Sequence, residues 1–274
     1  MPGAPDPEVL FGIGGGTGFG RFAYGEHVTL LTRITTRETP KEGFLARVCE
    51  RLKVSFRMTA ASGPESLRKT LNQALAGGRV PLVWVNPDQL PWPGPPAAYQ
   101  AVAVLDLEEP VATVFDGEER RLASGTLLEA AGIPGGAKYR SLVVEGPPRQ
   151  LNGALRAGLA AHQRQMREGL DFGPPSTRAG FGLPGLTGWA SRLQEDGPVG
   201  GVLAGQIELR GGGPAMREAQ SVFLDHLGLT AASAATREAA QRWRELAEAL
   251  RLGSAAPAHV EGIRDAEARA LDNQ

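Results

Sequence analysis

Apolar positions along this chain recur at strand-like and helix-like spacings that predict most of its elements. From 27 to 34 apolar and polar residues alternate as in a strand. Phe44, Leu45, Val48 and Leu52 then form one apolar stripe and predict a helix over 40–53, with Pro40 suited to its first turn. A second helix begins at Ser62-Gly63-Pro64-Glu65, which has capping-box spacing. It continues through Leu67, Leu71, Ala74 and Leu75 and ends at Gly77-Gly78. The unbroken run 81–85 reads as a buried strand, and the stretch 86–96 carries too much proline for regular structure. Strands over 101–107 and 111–115, separated by the turn-like 108–110, are expected to pair as a hairpin. A short helix near 126–131 and a strand over 139–144 follow.

Gly146-Pro147-Pro148 marks an expected domain boundary, after which the pattern turns helical. Leu151, Leu155, Leu159, His162 and Met166 lie on one face of a helix of about five turns. A glycine-rich stretch over 173–188 leads to a short helix around Trp189, and 216–227 and 236–252 predict two further amphipathic helices. The acidic, alanine-rich residues after 258 read as a frayed helix or a disordered tail. The expected division is therefore 1–146, 147–258 and a tail over 259–274.

Composition narrows the function classes. At 274 residues with a net charge of −1, the chain has no electrostatic reason to bind nucleic acid or an anionic membrane. No run approaches the roughly 20 apolar residues of a membrane span, and the N-terminus lacks a signal peptide's basic and apolar regions. A cytoplasmic location is the expectation. Cys49 is the single cysteine, which excludes an internal disulfide and any multi-cysteine metal site. The four histidines are isolated, so no metal or other cofactor is expected. His162 falls on an apolar helix face, as a core histidine would, and Cys49 reads as a small partly buried side chain rather than a nucleophile.

Two stretches could bind a ligand. In GIGGGTGFG, over 12–20, backbone N–H groups could approach a phosphate, which makes Gly14, Gly15 and Gly16 binding candidates. The third glycine of a dinucleotide turn is replaced by Phe19, and the lysine of a P-loop is missing. A tight backbone crossing against the core is the simpler reading. Trp84, Trp92 and Tyr99 surround the proline-rich loop and could either line a groove or cap a sheet.

Several phrases taken in order resemble one family. They are Phe11-Gly12-Ile13-Gly14-Gly15-Gly16 with Gly18-Phe19, Gly77-Gly78-Arg79-Val80-Pro81, Asp88-Gln89-Leu90-Pro91-Trp92, and the hairpin ending at Asp116. Together they resemble the N-terminal domain of butirosin biosynthesis protein H, which is similar to papain-like cysteine peptidases of the bacteriocin-leader type. Gly211-Gly212-Gly213, Met216-Arg217 and Phe223-Leu224 resemble the uncharacterised domain often fused to it. The resemblance spans about residues 8 to 252. It implies an α+β fold, with a papain-like core built on an antiparallel sheet and followed by a mainly helical domain.

The same resemblance implies an acyltransferase that moves an aminoacyl group from an acyl-carrier protein to a small-molecule amine. Such a site needs a cysteine at a helix N-terminus, a histidine opening a strand, and an Asp or Asn to orient it. The family's cysteine belongs to a His-Cys segment before the glycine-rich stretch. The ten residues before Phe11 hold neither. Tyr99 or Gln100 stands at the histidine position, and Asp116 matches the orienting acid. Gln100 can hydrogen-bond a substrate carbonyl but cannot act as a base.

Three readings follow. The first is a degenerate, non-catalytic relative that binds an acyl or peptide-like ligand near Trp84, Trp92 and Tyr99. The second is an active acyltransferase or amidase whose N-terminus is truncated or which uses other residues. The third is a non-enzymatic interaction protein whose helical half forms a homo-oligomer.

Overall fold

The computed structural model describes residues 5–24, 27–33, 43–92, 100–133, 138–169, 180–210 and 213–274. The chain opens with helix α1 (Pro7–Gly14) and strands β1 (Thr17–Tyr24) and β2 (His27–Arg33). Helix α2 (Phe44–Arg51), strand β3 (Phe56–Ala60), helix α3 (Pro64–Ala76) and strand β4 (Pro81–Val85) come next. Strands β5 (Gln100–Glu108), β6 (Val111–Phe115) and β7 (Glu119–Ala123) precede helix α4 (Ser124–Ala130) and strand β8 (Arg140–Val144). The rest is helical: α5 (Leu151–Glu168), α6 (Gly182–Ala190), α7 (Gly200–Gly205), α8 (Gly213–His226), α9 (Thr230–Arg251) and α10 (Pro257–Asp272). None of the described helices is long and apolar enough to cross a membrane.

The elements form two compact units. One is Thr35–Leu151; the other joins Met1–Ile34 to Asn152–Gln274. The expected division at 146 kept the first 34 residues with the sheet, whereas they group with the C-terminal helices. Local patterning carries no information about which distant segment an apolar face will meet.

In the first unit the described strands make a six-stranded antiparallel sheet in the order β3-β8-β4-β5-β6-β7. The fold class is α+β, as the sequence implied. Alternation along β4 sorts the sheet's two faces. Val83 and Val85 point to one side, where Val102, Val104 and Val114 meet Leu71 of α3 and Leu127 of α4. Trp84 points to the other side and packs with Ile133 and Leu142. The predicted hairpin forms as β5–β6. Strands β3 and β7, at the two sheet edges, were not predicted; Glu119-Arg120-Arg121 looks like a loop because an edge strand can be polar. The capping box at Ser62 does not form. Gly63 occupies the N-cap without a side-chain bond, and Glu65 pairs with Arg68 instead.

The second unit holds an aromatic core in which Phe19 stacks on Trp189 with ring centres 5.6 Å apart, and Trp189 lies 6.1 Å from Trp243. The glycine-rich stretch serves this packing. A Cβ on Gly12 would sit 2.0 Å from the Phe223 ring of α8, and one on Gly158 of α5 would sit 2.4 Å from the Gly12 carbonyl oxygen. Most of the expected tail over 259–274, read as a frayed helix or disordered, lies in helix α10. It buries Val260, Ile263, Ala266 and Ala270.

Candidate functional site

Three of the predicted residues, Trp92, Gln100 and Asp116, come together at one end of the sheet. Gln100 opens β5 opposite Val85 of β4, and Asp116 follows the last residue of the adjacent strand β6. Counting by twos, Gln100 shares a face with Val102 and Val104, and Asp116 shares it with Val114. Gln100 Nε2 donates to Asp116 Oδ2 at 3.1 Å. Trp92 Nε1 donates to the same oxygen at 3.0 Å.

The turn after β6 holds the acid in place. Asp116 N–H donates to the Glu118 carbonyl at 3.0 Å, and Gly117 takes a left-handed φ of 79°. The chain returns as β7, which sets Arg120 opposite Val114. The Arg120 guanidinium then lies 5.0 Å from the centre of the Trp92 ring, within cation–π range, and pairs with Glu118. Arg120 was not among the predicted site residues. The Asp116-Gly117 pair, a hairpin turn signal, could have revealed both β7 and this arginine.

The other candidates lie elsewhere. Trp84 is 2% exposed on the opposite sheet face and serves as core, so it does not join Trp92. Tyr99 lies outside the described residues, as do Gly211 and Gly212. Gly14, Gly15 and Gly16 are buried at the C-terminal end of α1. Gly15 N–H donates to the Gly12 carbonyl and Gly16 N–H to that of Phe11, with Gly15 at a φ of 119°. Their donors close the helix, and the carbonyl end of a helix repels rather than attracts a phosphate. The backbone-crossing reading accounts for this stretch.

Neither remaining nucleophile or base candidate is poised for chemistry. Cys49 is buried on α2, where burial and then the charge of Glu50 push its thiol up to about 11. A reactive cysteine needs the reverse shift. His162 is 1% exposed; its Nε2 lies 2.9 Å from Thr17 Oγ1, and its Nδ1 lies 3.3 Å from the Gln274 side-chain amide. It is a core histidine. Among the described residues no cluster of three or more His, Cys, Asp or Glu side chains could hold a metal.

The geometry defines a class: an α+β protein whose sheet carries a side-chain amide oriented by a carboxylate, at the start of one strand and the end of its neighbour. Residues 4–117 match the family model described as butirosin biosynthesis protein H, N-terminal. The match covers under half of the chain. No curated protein matches the chain.

Proposed function

We propose that this chain is a non-catalytic relative of the butirosin H-type acyltransferases that binds an acyl or peptide-like ligand beside Trp92, Gln100 and Asp116. The observation that carries this reading is the 3.1 Å bond between Gln100 and Asp116. These are the positions where the family resemblance implies a base and the acid that orients it. The orienting contact is kept while the base is replaced by an amide, whose nitrogen has no basic lone pair at neutral pH. The high thiol pKa of Cys49 supports the same reading, because a thiol held protonated is a poor nucleophile.

The antiparallel sheet, with its candidate residues at one end of adjacent strands, favours a papain-like description of the core. By the family's chemistry, the ligand is the acyl end of an acyl-carrier protein or the small-molecule amine that would receive it. A single-turnover assay with aminoacyl thioesters tests the proposal. The expected result is no acyl transfer above the uncatalysed rate, in the wild type and in Asp116→Ala alike. Measured turnover that Asp116→Ala abolishes would overturn it.

A further inference from the structure

We infer that Gln100 makes this site selective for ligands that present an N–H group, because Asp116 sets which way its amide points. The inference rests on the ligand-binding reading above. A carboxylate can only accept hydrogen bonds, so the end of the Gln100 side chain that faces Asp116 must be the NH2 group. The contact in the structure has that polarity, with Nε2 donating to Oδ2. Trp92 donates to the same oxygen, which holds the carboxylate from a second direction. Turning the amide over would bring two oxygen acceptors together and lose the bond. The amide carbonyl oxygen Oε1 is therefore fixed as the acceptor that Gln100 offers to anything else.

This polarity matches that of a neutral imidazole in the same place. A ring that donated one N–H to Asp116 would likewise present a bare acceptor nitrogen to the ligand. Glutamine keeps that pattern of donor inward and acceptor outward and drops only the basicity. The site can then recognise an amide or amine N–H without removing its proton. Asp116 acts through Gln100 and is a positioning residue, and Gln100 determines specificity.

The test titrates the protein with S-butanoyl-N-acetylcysteamine, which carries one amide N–H, and with its N-methyl counterpart, following the indole N–H signals by NMR. Loss of one signal in Trp92→Phe identifies the reporter. The N–H probe is expected to bind about tenfold more tightly, since an acceptor left unpaired is costly. Gln100→His should keep that preference and Gln100→Leu should erase it, which separates the hydrogen bond from any steric effect of the methyl group. Equal affinities in the wild type, or a preference that survives Gln100→Leu, would overturn the inference and leave the ligand site standing. If Gln100→Leu does not fold, the wild-type and Gln100→His ratios still decide the matter. No response of the Trp92 signal to either probe would overturn the site reading itself, and the inference with it.

Discussion

At the scale of single residues, His162 shows how burial sets a titration. Its ring is 1% exposed, and burial lowers its pKa to about 4 from the ordinary 6.5. The unfolded chain therefore binds a proton at His162 near pH 6.5, while the folded chain resists until about pH 4. Stability contributed by the neutral ring is complete above 6.5, falls as the pH drops through this window, and is fully lost below about 4. The shift corresponds to about 3 kcal/mol. Urea unfolding at pH 7 and pH 4.5 is expected to show a loss of this order, and His162→Gln should flatten the pH dependence. A mutant with the wild-type dependence would remove His162 as its source. His162 as a core residue was legible in the sequence from its place on an apolar stripe. Its partners Thr17 and Gln274 were not, because they are 145 and 112 positions away.

At the scale of elements, α10 carries a charge into the core. Glu267 of α10 accepts from Arg217 Nε of α8 at 2.6 Å, and Arg217 also donates to the Gly18 carbonyl and lies 5.2 Å from the Trp243 ring. Both side chains are almost wholly buried. Breaking such a pair from one side leaves a buried charge without its partner, which costs about 3–5 kcal/mol. Glu267→Ala is thus expected to lower the urea midpoint sharply. The double replacement Arg217→Met with Glu267→Leu should recover most of the loss, and a double mutant as unstable as the single one would refute this account. The Val260, Ile263, Ala266 and Ala270 spacing of α10 was present in the sequence. It was obscured because its apolar face includes two alanines and a glutamate, whose charge Arg217 pairs in the core. Helices α3, α5, α8 and α9 were easier to see, since their stripes are built on leucine, phenylalanine and tryptophan. The predicted starts of α8 and α9 fell three and six residues late.

At the scale of the whole molecule, the first 34 residues fold with the last 123, the unit Met1–Ile34 plus Asn152–Gln274. Val9, Ile13, Phe19 and Leu30 are each at most 2% exposed within it. Removing residues 1–34 is expected to strip α8 of amide protection in hydrogen exchange, because Phe223 loses the backbone of α1 that its ring packs on. Unchanged protection in α8 would contradict this assignment. The sequence by itself determined the β5–β6 hairpin, whose far end carries Gln100 and Asp116, because adjacent strands and a short turn are local. It also placed an amide, Gln100, where the family resemblance implies a base. Only the tertiary structure decided that the amide there donates to Asp116, that Trp92 donates to the same carboxylate, that Arg120 lies over the Trp92 ring, and that Gly12 of α1 serves packing. Periodicity states which face of an element is buried, and the partner that buries it is chosen across hundreds of residues by shape and charge.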